Sequence, residues 1–124
     1  MKLENRIEAF TGLGDILSDY LSDNLSLIIK NKIDLAFEQS EIQNPWFTKE
    51  NIQLAISNVT AQLNPTNINK WINQYPELRK NSTEKTVAVV SAGNIPLVVF
   101  HDFMSVLMSG NKILLKLSSK DQVL

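Results

Sequence analysis

Two stretches of the sequence decide the fold: TVAVVSAGNIPL at residues 86–97 and SGNKILLKLSS at residues 109–119. The valine-rich run at 87–90 does not alternate between apolar and polar residues, which predicts a strand covered on both faces, as parallel strands are. Residues 96–108 are of helix length and apolar almost all round, and residues 113–117 predict a second buried strand. A strand, a helix and a strand in this order predict one right-handed βαβ crossover.

The loops that follow the two strands hold the candidate site residues, because ligands of open α/β sheets bind at the carboxyl ends of the strands. Asn94 could either aim its amide at a developing oxyanion or cap the next helix, and residue type alone favours the cap. Pro96 is expected in the first helical turn, and Gly93 lets the backbone approach a ligand closely. Lys116 could reach the oxygens of a nucleotide, although a surface lysine is the simpler expectation. Gly110 suits a left-handed residue at the end of the helix.

The N-terminal part of the chain has helical periodicity. Apolar residues recur at steps of three and four from residue 3 to residue 21, and less regularly from 25 to 37. Thr48 is expected to cap a third helix, and Pro65 to occupy the first position of a fourth. Three aromatic residues are expected in the core: Trp46, Phe47 and Trp71.

Residues 78–84, which are mostly polar and charged, predict a surface connection between two parts. These are a helical segment at 1–80 and, at 81–124, the start of a βαβ domain that binds a ligand at its strand ends. Two parallel strands are too few for a stable sheet, and parallel sheets need both faces covered. Either another chain completes the sheet or the sequence is the N-terminal piece of a longer protein. The second of these is our expectation.

The composition is that of an ordinary globular domain. With 44% hydrophobic and 20% charged residues, the 124-residue chain can bury a modest core. A net charge of −1 gives no field that attracts nucleic acid, so no nucleic-acid partner is expected. Cysteine is absent and histidine occurs once, so we expect no metal site. The longest apolar run, residues 95–100, is too short to span a bilayer, and the start lacks a secretory pattern. A cytoplasmic location without a membrane span is therefore expected.

Two further patterns do not support a site. Gly12 and Gly14 lie in a helical pattern with no strand before it, which argues against a dinucleotide-binding loop. His101 and Ser105 share a helix face, but Asp102 points about 100° away. A polar seam against the helical layer is therefore expected there, rather than a catalytic triad.

The two strand-end motifs together resemble those of a known enzyme family. Residues 91–97, 101–103, 109–112 and 115–120 are similar to the acyl-CoA reductase family, which includes the fatty-acid reductase of bacterial luminescence and belongs to the aldehyde dehydrogenase superfamily. The specific part of the resemblance runs over residues 86–122. It implies an α/β fold in which a helical layer precedes the first βαβ unit of a parallel-sheet, Rossmann-like domain that binds NAD(P) and is incomplete in this chain.

The resemblance implies roles for individual residues. Asn94 would donate to the tetrahedral oxyanion that forms when a catalytic cysteine attacks the acyl carbonyl. Lys116 would hydrogen-bond the adenosine ribose of the cofactor, and the backbone of Ala92 and Gly93 would line the cofactor cleft.

The resemblance also implies the choice of cofactor. Ser119 stands where many aldehyde dehydrogenases place a glutamate that grips both ribose hydroxyls, and Ser118 beside it would also face the cofactor. Without that carboxylate nothing repels a 2′-phosphate, so NADPH is expected rather than NADH. Lys120 is an additional candidate for the phosphate.

The function implied is NADPH-dependent reduction of a fatty acyl-CoA, or another acyl thioester, to its aldehyde. The cysteine would lie outside this chain, so the chain alone is expected to be inactive. Two alternatives stay open. One is a short non-catalytic module that pairs its βαβ edge with a second copy or a partner, since unpaired strand edges favour association. The other is a fragment of an aldehyde dehydrogenase that acts on free aldehydes.

Overall fold

A computed structural model describes residues 1–80 and 83–124. The described residues form a mixed α/β fold in which a layer of helices precedes a βαβ unit. Its elements, in chain order, are α1 (Leu3–Leu21), α2 (Leu27–Gln43), α3 (Lys49–Leu63), α4 (Pro65–Ile72), a 3-10 turn (Pro76–Arg79), β1 (Thr86–Val90), α5 (Phe100–Met108) and β2 (Lys112–Lys116).

The predicted surface connection at 78–84 includes residues 81 and 82, which lie outside the described residues. The division of the chain between residues 80 and 81 falls at the same place and stays a prediction. Of the helices in the two described ranges, none has the length and apolar character that crossing a bilayer requires.

Local capping signals start the helices α3 and α4 where the sequence predicts. The Thr48 hydroxyl oxygen accepts a hydrogen bond from the Asn51 backbone N–H at 3.3 Å, which satisfies one of the free donors at the start of α3. Asn64 does the same for α4, since its side-chain oxygen accepts from the Thr66 N–H at 2.9 Å. Pro65 holds the first position of α4, as predicted.

The main core joins the helical layer to α5. Gly14 of α1 permits a close approach to α3, because a Cβ at this position would lie 2.8 Å from the Leu63 Cβ. The main cluster of buried apolar side chains takes members from α1, α3, α4 and α5: Leu3, Phe10, Val59, Leu63, Ile68, Ile72, Met104 and Met108. Burial of these side chains therefore fixes α5, and the strands on either side of it, against the helices.

The predicted core aromatics behave differently from one another. Phe47 is fully buried with Ile52 and Ile56, as predicted, and Trp71 packs half-buried against the main core. For Trp46 the prediction is wrong, since its side chain is 74% exposed. The tight turn between α2 and α3 directs Phe47 inward, and its neighbour Trp46 consequently faces outward.

The two strands lie side by side and parallel, as predicted. The register pairs Val87 with Ile113 and Val90 with Lys116. The pairing continues one step past β1, where the Ser91 N–H donates to the Lys116 carbonyl at 2.9 Å. Both strands therefore end at the same edge of the sheet.

Coverage of the sheet on both faces is not found within the described residues, so that prediction is wrong for this chain. The two strands alternate between half-buried and exposed positions. Val87 and Leu115 face the helices, whereas Val90 and Leu114 are exposed on the other face. The reason is that the helices pack against one face only.

The connection from β1 to α5 also differs from the prediction. Leu97 has a φ of 56°, in the left-handed region, which interrupts a helix. As a result α5 begins at Phe100 with Val99 as its N-cap, and Pro96 lies in a turn before it. The predicted capping role of Asn94 is therefore wrong, and so is the placement of Pro96 in the first helical turn.

The end of α5 is as predicted. Gly110 has a φ of 83°, which a glycine adopts without steric cost, and the chain turns there into β2. Arg6 of α1 is buried against this turn, and its guanidinium donates to the Leu107 carbonyl at 3.3 Å. A cation at this place also interacts favourably with the C-terminal end of the helix dipole.

Candidate functional site

A groove of about 860 Å³ opens where the two strands end. One side consists of the loops that follow β1 and β2, with Ala92, Gly93, Asn94, Ser118 and Lys120 at its surface. The opposite side is formed by the turn before α3 and by one face of α3 itself. The volume of the groove lies within the range of small-molecule sites, about 300–1,000 Å³.

The two strand-end loops touch each other at Gly93. A Cβ at this position would lie 2.8 Å from the Ser118 Cβ and 3.0 Å from the Lys120 Cβ, and would overlap the Ser118 hydroxyl. The second loop is in turn folded on itself, since the Ser118 hydroxyl accepts from the Lys120 N–H at 3.2 Å. Glycine is therefore needed at position 93 for the loops to meet.

Asn44, at the end of α2, holds the two loops together. Its side-chain N–H₂ donates to the Gly93 carbonyl at 2.8 Å and to the Lys120 carbonyl at 3.1 Å. Its side-chain oxygen accepts from the Trp46 N–H at 3.1 Å, and the residue is only 4% exposed. This residue was not identified from the sequence. Its partners lie 49 and 76 residues away in the chain, so no local pattern reveals them.

Asn94 lies at the groove with an exposed side chain. Within the part of the chain that the structure describes, its side chain makes no hydrogen bond, although the backbone around it is fixed by the contacts of Gly93. An amide N–H₂ in such a position can donate to an oxygen of a bound molecule. The geometry thus leaves Asn94 available for the role that the resemblance implies.

Lys116 and Ser119 lie outside the lining of this groove. Lys116 is the last residue of β2, and its side chain is exposed on the open face of the sheet, beside Val90 of β1. Ser119 is exposed in the loop that follows. The structure therefore brings Ala92, Gly93 and Asn94 together with Ser118 at the groove, whereas Lys116 and Ser119 are exposed outside it.

A buried carboxyl group lies next to the second loop. Asp121 forms a short antiparallel bridge with Ser118, and its carboxylate accepts from the Leu124 N–H at 3.2 Å. Burial raises the pKa of Asp121, while the backbone hydrogen bonds oppose that shift. Because it is turned away from solvent, this carboxyl contributes to the folding of the loop rather than to the groove surface.

The opposite wall of the groove is apolar and was also missed by the sequence reasoning. Trp46 is 74% exposed, and Leu54 of α3 is 62% exposed beside Ala55. The signal that could have revealed this wall is the position of Leu54 on α3, since it lies off the face that buries Ile52, Ile56 and the residues after them.

The glycine and histidine patterns that did not support a site in the sequence lie in helices α1 and α5. Gly12 and Gly14 lie within α1, as the helical pattern predicts. His101 is exposed at the start of α5, and its ring centre lies 5.9 Å from that of Trp71 in α4. His101 therefore contacts the helical layer, in agreement with the expected seam.

The comparison with known protein families agrees with the resemblance in the two loops. A family model described as acyl-CoA reductase (LuxC) matches residues 1–124. No curated protein and no solved structure matches the chain. The match covers the helical layer as well as the βαβ unit, and the resemblance to an acyl-CoA reductase is thereby confirmed. On this ground, the chain belongs to the acyl-CoA reductase (LuxC) family.

Proposed function

We propose that this chain forms the NADPH-facing part of an enzyme that reduces a fatty acyl thioester to an aldehyde. The observation that carries the proposal is the exposed amide of Asn94 at the carboxyl edge of two parallel strands, in a chain of the acyl-CoA reductase family. Residues 1–80 would be the supporting helical layer, and residues 81–124 the start of the cofactor domain.

The reaction begins with attack of a cysteine thiolate on the thioester carbonyl carbon. The carbonyl oxygen then carries the negative charge, and the N–H₂ of Asn94 donates to it. Collapse of this tetrahedral species expels coenzyme A as its thiolate and leaves an acyl group on the cysteine. NADPH, when bound, would supply the hydride for reduction of this acyl group. The carbon–sulfur bond to the cysteine then breaks, which releases the aldehyde and regenerates the cysteine thiolate. Since the chain has no cysteine, the nucleophile comes from polypeptide other than residues 1–124.

The strand ends fit a nucleotide in two respects. The backbone at Gly93 carries no side chain, so a ligand can approach it closely. Lys116 is exposed at the carboxyl end of β2, where nucleotides bind in open α/β sheets, so its ammonium group could donate to a ribose oxygen. Ser119 adds no carboxylate there, which favours a cofactor that carries a 2′-phosphate.

Titration with NADPH, followed by nicotinamide fluorescence, tests the cofactor assignment. Lys116→Ala should weaken binding by roughly tenfold or more, because a hydrogen bond from a charged group is lost. Lys112→Ala is the matched control: this lysine lies on the same face at the other end of β2, where it pairs with Glu84 at 2.7 Å. Equal effects of the two substitutions would overturn the assignment. Ser119→Glu should shift the preference from NADPH towards NADH.

Activity tests the role of Asn94. In an assembly that includes the cysteine-bearing polypeptide, Asn94→Ala should lower kcat by about 10²–10³-fold, the usual effect of removing one oxyanion donor. NADPH affinity should stay unchanged. A full kcat in the variant would contradict the oxyanion role.

A second candidate function follows from the open face of the sheet. Val90 and Leu114 are exposed there, and in the described residues β1 and β2 pair only with each other. A non-catalytic module would pair the outer edge of one of these strands with a second copy or a partner, which would also cover the exposed apolar side chains. The mass of the chain in solution distinguishes the two: a tight dimer that Leu114→Glu dissociates favours the module.

A further inference from the structure

We propose that the apolar wall of the groove binds the hydrocarbon chain of the acyl thioester, and that Trp46 covers the part of this chain closest to the strand-end loops. The wall consists of Trp46, Leu54, Ala55 and, on the side of the strand ends, Ile95. This inference rests on the proposed function, because it takes Asn94 to mark the position of the thioester carbonyl.

The groove has polar groups on the side of the strand ends and is mainly apolar on the side of α3. Asn94, Ser118 and Lys120 supply the polar groups at the strand ends. Trp46 and Leu54 expose most of their side chains to the same groove. Small-molecule sites typically have this composition, in which a few polar groups orient a ligand and apolar side chains bury the rest of it.

The apolar wall has the length and direction that a chain requires. Asn51, Leu54, Ala55 and Asn58 lie on one face of α3 over two helical turns, which correspond to about 10 Å. A ligand whose carbonyl lies at Asn94 can therefore extend a linear tail along the helix. A saturated chain gains from such a surface, because each methylene group that leaves water is favourable.

The backbone of Trp46 is held in place by two hydrogen bonds. Its backbone N–H donates to the Asn44 side chain at 3.1 Å, and its carbonyl accepts from the Asn51 side chain at 2.9 Å. The indole is thus presented to the groove from a backbone fixed on both sides. Since Asn44 also binds the Gly93 carbonyl, the indole lies beside the strand-end loops, where it can cover the methylene groups closest to the thioester carbonyl.

Charge favours an acyl chain over the nucleotide as occupant of this wall. Among the described residues that line the groove, Lys120 is the only cation, and it lies at the strand-end side. A pyrophosphate along α3 would find amide and apolar groups without a positive charge. Lys116, the candidate for the nucleotide, lies outside the groove.

Tryptophan fluorescence tests the inference directly. The chain has two tryptophans, so in the Trp71→Phe variant Trp46 is the sole emitter. Acyl-CoAs from hexanoyl to tetradecanoyl, each below its micelle-forming concentration, should shift the Trp46 emission to shorter wavelength. Affinity should rise about two- to fourfold per methylene until the wall is filled, as expected for transfer of methylene groups from water. Trp46→Ala, followed by amide NMR shifts of residues 54 and 55, should weaken the binding of every chain length by a similar factor, because Trp46 lies beside the strand-end loops.

Leu54→Glu, introduced in the same background, should remove the dependence on chain length by placing a charge in the wall. Leu27→Glu is the matched control, because Leu27 is 75% exposed on α2, outside the groove. If Trp71→Phe unfolds the chain, the NMR shifts of residues 46, 54 and 55 in the unsubstituted chain give the same readout.

Three results would overturn the inference: an equal emission shift with free coenzyme A or NADPH, an affinity independent of chain length, or equal effects of the two glutamate substitutions. A different measurement shows whether the proposed function fails while this inference holds. NADPH binding that is unaffected by Lys116→Ala removes the cofactor assignment and leaves the chain-length series unchanged.

Discussion

Asn44 provides the most informative test of how the site is assembled. Asn44→Asp keeps the size and shape of the side chain but replaces its two donors by an oxygen. That oxygen would face the carbonyls of Gly93 and Lys120, which now receive the two N–H bonds at 2.8 and 3.1 Å. We therefore expect the strand-end loops to separate and the folded state to lose stability.

The size of the loss follows from the bonds that are removed. Each hydrogen bond contributes about 1 kcal/mol net, and a buried carbonyl left without a donor costs about 1–3 kcal/mol. Because Asn44 is only 4% exposed, water cannot readily replace its N–H₂ group. Because both carbonyls lose their donor, we expect the free energy of unfolding to fall by about 3 kcal/mol. This corresponds to a decrease in Tm of roughly 10 °C for a domain of this size.

Urea unfolding followed by circular dichroism measures the loss. Asn67→Asp is the matched control, because Asn67 is exposed and donates one hydrogen bond, to the Ala61 carbonyl at 2.7 Å. This control should lose less than about 1 kcal/mol. Equal losses in the two variants would refute the idea that Asn44 holds the loops together.

Further predictions concern the contact between the strand-end loops, the Asp121 carboxyl group and the start of α3. Gly93→Ala should destabilise the chain by about 1–3 kcal/mol in thermal unfolding, because the added methyl group overlaps the Ser118 hydroxyl. Gly12→Ala is the control: this position has open space around it, so the substitution should stabilise α1 by about 0.5–1 kcal/mol. Stability changes of the same sign in the two variants would contradict the close packing at Gly93. Burial raises the pKa of Asp121, so the folded chain binds the carboxyl proton more tightly than the unfolded chain does. The stability that this group contributes is therefore fully present below the ordinary pKa of aspartate. It is lost as the pH rises through the raised pKa of the folded state. Asp121→Asn should flatten this part of the unfolding profile against pH, and an unchanged profile refutes the assignment. Thr48→Ala should cost about 1 kcal/mol through loss of the cap of α3, measured by urea unfolding, and no loss would show that the cap is not effective.

Local chemistry accounts for the parts of the fold that the sequence predicts correctly. Thr48 and Pro65 mark helix starts through groups within three residues of them, and Gly110 marks a helix end through its own φ. The two strands are recognisable because their apolar runs are short and rich in β-branched and aliphatic residues. Such signals need no information from distant parts of the chain.

The errors arise where distant contacts or unusual backbone conformations decide the structure. Leu97 adopts a left-handed φ that a leucine rarely takes, and this moved the start of α5 and removed the capping role of Asn94. Residue type placed Trp46 in the core, but the turn gives the buried position to Phe47. The contacts of Asn44 span 49 and 76 residues, so its role at the site is visible only once the chain is folded.

The central claim is that the loops after β1 and β2 form a binding site for NADPH at one edge of the sheet. Amide NMR of the isotope-labelled 14.0 kDa chain, titrated with NADPH, tests it most directly. We expect saturable shifts grouped at residues 91–94 and 116–119. Shifts confined to other parts of the chain, or none at millimolar NADPH, would contradict the claim.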